Sequence, residues 1–303
     1  MEQIVIQELN RKPKRDKRKM LSKGVKKTLV IIGLSLLCIL FLFPVVWMVS
    51  NSLKTNDQVN AQMGTIWTFL PATWNVTEWF KSYGNLFSQF QYFGRSILNS
   101  ILYCSITIIG VLLINSFAGY ALARFKFPGS KLMRTIIIVL MIVPVETSIV
   151  PLYVILYRLN LLGEGVNVIG YLLPGFCSLM YIYMFRQFFL GMPIEIEEAA
   201  RIDGCSRLGI YFKMILPLSK PIFATVAIFT FMGQWNEYIF AQLMFVDPKM
   251  QPLQVFLQLV NTYTPRDISV IMAALTFSTI PIAIIYIFCQ KYIVEGVSFT
   301  GLK

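Results

Sequence analysis

Residues 193–217 lie between two apolar runs and carry carboxylates and a guanidinium at helical spacing. Pro193 suits a first helical turn, where no amide hydrogen is needed. Glu195, Glu197 and Glu198 follow, where the positive end of the helix dipole favours negative charge. Glu197 and Arg201 stand one turn apart and are expected to pair on the surface. Gly204 suits the left-handed turn that ends a helix, and Ser206 can cap a second short helix, roughly Arg207 to Ile215. Pro217 and Pro221 mark the entry to the next apolar run. The pattern predicts a helix-turn-helix elbow of the size and polarity that a groove on a soluble partner could hold. An amphipathic connector resting at the membrane interface has the same spacing, so spacing alone leaves both readings open.

Few other chemistries are on offer. The chain has no His, which removes HExxH zinc sites, Ser-His catalysis and imidazole proton relays. The five Cys are scattered, with no metal or redox spacing, and read as small core residues. No catalytic residue and no metal site is expected. Nor does a G-x-x-x-x-G-K-[ST] loop occur, so nucleotide phosphates are not cradled here by that route. Glu146 and Glu237 stand inside otherwise apolar runs, where an ionisable side chain marks a solute or ion path by default.

These groups are carried by membrane-spanning elements. Hydrophobic residues make up 56% of the chain and charged ones 14%, against about a quarter in soluble domains. Six runs reach the roughly 20 residues a crossing needs: Thr28 to Ser50, Arg95 to Arg124, Thr135 to Tyr157, Glu164 to Arg186, Ile222 to Val246 and Asp267 to Lys291. Of the 27 Lys and Arg, 21 fall on the side that holds both termini, ten of them in residues 1–27. The positive-inside rule therefore puts both termini in the cytoplasm. The basic tail 1–27 reads as an orientation signal near anionic lipid rather than a nucleic-acid arm.

Several spans are broken or polar. Pro144 and Pro151 flank Glu146, Pro174 and Gly175 interrupt the fourth span, and Pro281 is expected to interrupt the sixth. Asn99, Asn115, Gln234 and Asn236 lie at membrane depth, where each needs a neighbouring helix or a water-filled cavity. Any single one reads as interhelical bonding; together they favour a path for a polar solute.

Glu198-Ala199-Ala200, then Gly204, then Met214-Ile215-Leu216-Pro217 resembles the coupling-loop signature of binding-protein-dependent ABC importer permeases. The signature reads E-A-A, three residues, G, nine residues, I, one residue, L-P; Met214 stands where Ile is usual. The string from Pro193 to Gly204, Trp235-Asn236-Glu237 and the C-terminal residues 290–296 and 300–303 resemble the carbohydrate branch, most of all the second permease of maltose-type sugar importers. The resemblance covers about residues 28–303 and implies an all-α, six-helix type I ABC importer transmembrane domain in a bacterial plasma membrane.

It further implies a transport subunit rather than an enzyme, with ATP and Mg bound by a partner ATPase dimer. A second permease subunit and an extracytoplasmic solute-binding protein are implied as well. Coupling to the ATPase is implied for Glu198, Ala199, Ala200, Asp203 and Gly204, with Leu216 and Pro217 closing the motif. The outer loop 246–267 is implied to touch the binding protein, with Gln258, Asn261 and Tyr263 as candidates. Trp235, Asn236, Glu237, Tyr238 and Glu146 are candidates for the path of a sugar, since an aromatic beside amide and carboxylate groups suits a sugar's apolar face and hydroxyls. A permease for a non-sugar solute such as a glycerol-phosphate ester is the alternative. An ion-coupled secondary transporter using Glu146 and Glu237, and an intramembrane enzyme, fit the residues less well.

Overall fold

The computed structural model describes the backbone of residues 17–163 and 167–301 and the side chains of residues 25–163 and 167–290. Every regular element among them is helical. In chain order the main ones are α1 (Lys17–Ser52), α2 (Phe93–Arg124), α3 (Ser130–Leu140), α4 (Ile149–Arg158) and α5 (Leu179–Leu190). The elbow helix α6 (Glu195–Ile202) follows. Then come α7 (Lys220–Trp235), α8 (Ile239–Met244), α9 (Leu253–Thr262) and α10 (Ile268–Gly301). The basic stretch 1–16, and the side chains of the C-terminal residues that carry the family resemblance from 291 on, lie outside the described residues.

Val25–Ser52, Phe93–Arg124, Asn167–Leu190 and Ile268–Gln290 are each long and apolar enough to cross a bilayer. Two bent pairs, Ser130–Leu140 with Val145–Arg158 at 99° and Arg207–Leu218 with Lys220–Trp235 at 77°, bring the crossings among the described residues to as many as six. On α1, Ile31, Leu37 and Phe41 are all exposed, so this helix needs lipid or apolar helices around it.

The breaks have local causes. Pro144 sits at the bend between α3 and α4, where its backbone is extended. In the fourth span Pro174 and Gly175 lie in a tight turn, Leu173–Phe176, ahead of α5. Buried Asn115 on α2 repairs that break. Its Nδ2 donates to Phe176 O at 2.8 Å and to Val111 O at 2.6 Å, and its Oδ1 accepts from Ser178 N at 2.8 Å. Freed backbone groups at membrane depth need such partners. Pro281 does not interrupt the sixth span: α10 runs straight through it, as α1 runs through Pro44.

α2 is the central post, packed against α5 and α7. At Gly119 a Cβ would come within 2.6 Å of Phe185 Cβ and 2.9 Å of Arg186 N, so only glycine lets these helices cross so closely.

Both expected outer loops are folded. Residues 51–94 contain Asn56–Gln62, Val76–Trp79 and Lys81–Gln89. Fully buried Lys54 holds them to α1: its Nζ donates to Thr68 O at 3.0 Å and Trp67 O at 3.2 Å. Burial lowers the Lys54 pKa, and carbonyl dipoles take the place of a counter-ion. Residues 246–267 are not a surface loop, because α9 sends Leu253, Phe256 and Val260 into the core beside Phe93, Trp235 and Ala274.

Candidate functional site

The elbow starts two residues later than Pro193 suggests, with Ile194 in the capping position and Glu195, Glu197 and Glu198 in the first turn of α6. It ends as its glycine predicts. Gly204 takes φ 81°, its N–H bonds Arg201 O at 3.0 Å, and Cys205 N bonds Ala200 O at 3.0 Å. That pair of bonds satisfies carbonyls that a helix end otherwise leaves open. Ser206 Oγ then accepts from Gly209 N at 3.1 Å, capping Arg207–Ile210. The expected second helix is not uniform: a wider π-helical turn, Tyr211–Ile215, follows, then Leu216–Leu218 with Leu216 half-buried and Pro217 exposed.

α6 has two faces. Glu197 and Ala200 point inward, exposed by 1% and 2%. Glu198, Ala199, Ile202 and Asp203 point outward, and Ile202 is 87% exposed.

Glu197 does not pair with Arg201 on the surface. Its Oε1 accepts from Arg124 Nε at 2.6 Å and its Oε2 accepts from Tyr120 OH at 2.9 Å. Arg124 Nη2 also donates to Met192 O at 2.9 Å, just before the elbow. The two charged side chains are 7% and 1% exposed. One turn back along α2, Tyr211 OH donates to Ser116 Oγ at 2.7 Å. Ser116, Tyr120 and Arg124 are spaced one turn apart, so a single stripe of α2 fastens both halves of the elbow.

Arg124 and Tyr120 were not among the expected site residues. The signal was present in their spacing, with Arg124 closing an apolar run and an aromatic hydroxyl one turn before it. Nothing in the sequence says that the partner is Glu197, 73 residues away.

A second polar group lies where the fifth span breaks. α7 stops at Trp235, and Glu237 starts α8, its Oε1 accepting from Phe240 N at 2.7 Å and its Oε2 from Ala241 N at 2.8 Å. Tyr171 OH donates to Glu237 Oε2 at 3.2 Å and accepts from Gln234 Nε2 at 2.8 Å. Both Glu237 oxygens are thus engaged within the chain.

Trp235 is 1% exposed, with Nε1 donating to Ser278 O on α10 at 3.1 Å, so it packs the core instead of facing a solute. Asn236 bonds back to Met232 O of its own helix at 2.8 Å. Asn99 Nδ2 bonds the carbonyls of Lys249 and Gln251. The amides expected to form a path together, Asn99, Asn115, Gln234 and Asn236, are each held by the protein. Glu146 stands apart, exposed at the bend of the third span.

Tyr238 does face a cavity. It shares a space of about 330 Å³ with Gln254, Gln258 and Asn261 of α9. Tyr263 lies outside that lining and packs edge-on against Phe90 at 5.1 Å. Among the described residues no group of His, Cys, Asp or Glu comes together as a metal site.

The described residues thus form a helical bundle of several candidate spans, with an elbow fastened to the central helix by a buried ion pair. The family model described as "Binding-protein-dependent transport system inner membrane component" matches residues 115–299, and the chain belongs to that family. YurM of Bacillus subtilis, described as a probable ABC transporter permease protein, is 30% identical over 283 residues, 92% of this chain and 89% of YurM. The arabinooligosaccharides transport system permease protein AraQ of Halalkalibacterium halodurans is 28% identical over 275 residues, 91% of this chain and 96% of AraQ. Among solved structures, a chain of a bacterial ABC transporter involved in the import of the acidic polysaccharide alginate matches with TM-score 0.77 and 25% identity. That match covers 89% of this chain and 97% of the other. The chain is thus an ABC importer permease, a multi-pass membrane component with a transport role rather than an enzymatic one.

Proposed function

We propose that this permease passes a sugar or oligosaccharide inward, driven by a separate ATPase dimer that grips the 193–217 elbow. The observation that carries this reading is the buried Glu197–Arg124 pair beneath an elbow whose outer face carries Ile202, Ala199 and Glu198. A docking element that transmits force must be exposed on one side and rigidly fixed on the other, and α6 is both. Glu198, Ala199, Ile202 and Asp203 form the gripping face. Ala200 seats the helix, and Gly204 turns the chain away. Leu216 and Pro217 lead into the bend before α7.

ATP and Mg belong to the ATPase. A second permease completes the passage, and an extracytoplasmic binding protein delivers the sugar to the side of residues 51–94 and 246–267, where Tyr263 and Val246 are exposed. Both termini then face the cytoplasm of a bacterial cell. The sugar reading is supported by AraQ and by the alginate transporter, whose descriptions name carbohydrates. The test is to purify this chain with its neighbouring permease, ATPase and binding protein and to follow oligosaccharide uptake into proteoliposomes. ATP-dependent uptake that requires the binding protein is expected. Uptake by this chain without an ATPase would sink the reading.

A further inference from the structure

The cavity beside Tyr238 is built differently from the breaks held by Asn115 and Glu237. Gln254, Gln258 and Asn261 follow one another at four and three residues along α9 and so share one face of the helix. The opposite face, Leu253, Phe256 and Val260, is locked in the core, which fixes how the amide stripe is presented. Asn261 Oδ1 accepts from Arg266 Nη2 at 3.2 Å, which orients this amide and leaves its Nδ2 to donate. The side-chain amides of Gln254 and Gln258 carry no hydrogen bond among the described residues, unlike Asn99, Asn115, Gln234 and Asn236. The Tyr238 ring is half-buried in the wall, and Leu257, Ile271 and Leu275 supply an apolar floor. No charged side chain lines the space.

We infer that this cavity is a solute subsite within this permease, and that the solute is a neutral sugar unit; the inference rests on the sugar-import reading. Free amides offer both donors and acceptors, which is what a ring of hydroxyls requires. A tyrosine face and an aliphatic floor match the C–H face of a sugar ring. The volume, about 330 Å³, sits at the small end of ligand pockets and suits about one or two rings of a longer saccharide. Arg266, the cation that reaches the lining, donates to Asn261 Oδ1, and no charged side chain forms the wall itself. A phosphate or carboxylate solute would therefore enter a partly desolvated space without a cation in its lining, which is unfavourable. The site therefore selects against glycerol phosphate and acidic sugars. It also takes Gln258 and Asn261 away from binding-protein contact and gives them to the solute.

The experiment uses the full complex in proteoliposomes with its own binding protein. Arabinotriose serves as the neutral probe, and sn-glycerol-3-phosphate and an alginate trisaccharide as the charged ones. Gln254→Leu/Gln258→Leu is expected to lower arabinotriose uptake by about tenfold or more, two lost hydrogen bonds being the cause. Affinity of the complex for the liganded binding protein is expected to stay within about twofold of wild type, since a subsite is not a docking surface. Gln258→Glu, which keeps size and acceptors, is expected to retain more arabinotriose uptake than Gln258→Leu.

Wild-type uptake in the double variant, or equal uptake in Gln258→Glu and Gln258→Leu, would overturn the subsite. So would a matching loss of binding-protein affinity, which would return these amides to docking. Wild-type preference for either charged probe over arabinotriose would overturn the neutral class. Failure of wild-type protein to take up either saccharide would instead defeat the sugar-import reading itself.

Discussion

The elbow at α6 and the cavity beside Tyr238 both arise where a helix is interrupted, yet their polar groups are disposed in opposite ways. In the elbow the charged groups facing the bundle are paired: Glu197 is held by Arg124 and Tyr120, and Arg124 also by Met192 O. What remains outside is a mixed face, with Glu198 and Asp203 beside Ala199 and a highly exposed Ile202. In the cavity the apolar side of α9 is buried, and the amides of Gln254 and Gln258 are left without hydrogen-bond partners among the described residues. A part that must move with its partner cannot give way, so its inner contacts are closed and charged. A part that a solute must enter and leave keeps hydrogen-bonding groups open, and keeps charge out.

The largest effect should come from breaking the closed side. Arg124→Met leaves the Glu197 carboxylate buried without a cation, at a cost of about 3–5 kcal/mol. A lowered unfolding temperature of the purified complex is the expected result. Arg124→Met/Glu197→Leu removes both charges and should recover most of that stability, since an apolar pair often replaces a buried ion pair without loss. Uptake should nevertheless stay low in the double variant. Full uptake there would reduce the pair to packing and erase the contrast between the two regions.

Glu237→Gln comes next. The carboxylate accepts two backbone N–H groups and a tyrosine hydroxyl, and an amide offers only one acceptor oxygen. An unmet buried donor costs about 1–3 kcal/mol, so complex yield and uptake should both fall. Normal values for both would mean that the start of α8, and hence the position of Tyr238, does not depend on this group.

Gly204→Asp is smaller in energy but acts on coupling. Open space surrounds Gly204, so the strain comes from φ 81° alone, about 1–2 kcal/mol. The added charge also falls at the negative end of α6. The protein should insert normally and fail to couple hydrolysis to the binding protein.

The smallest effect is a labelling pattern, read without any assay of uptake. A cysteine at exposed Ala199 should react only from the cytoplasmic face, and one at exposed Ile66 only from outside. Ala200 is buried and would label poorly from either side. Reaction of position 199 from outside would invert the topology.

Spans and elbow were legible in the sequence because membrane length and helix-end chemistry are local. Gly204, Ser206 and the acidic first turn each act within a few residues, and each took the geometry its type implies. What escaped was long-range. Glu197 looked like a surface partner of Arg201 because spacing reports only neighbours on one helix; its actual partners come from α2. Trp235 and Glu237 looked like solute contacts because polarity at membrane depth does not reveal whether the protein itself answers it. The segment 246–267 read as a loop since α9 is only ten residues, far short of a span. Its amide stripe became visible only when the other face was seen packed.

The account stands on α6 being a gripped, outward face. Ile202 tests this most directly, because it is 87% exposed and its substitution should leave the fold untouched. The measurement is retention of the ATPase by Ile202→Glu during purification of the complex, read alongside ATP hydrolysis stimulated by the liganded binding protein. The account predicts a complex that loses its ATPase, or keeps it without stimulation, while the permease pair remains folded. Full retention with full stimulation would contradict it, leaving α6 a connector at the membrane surface.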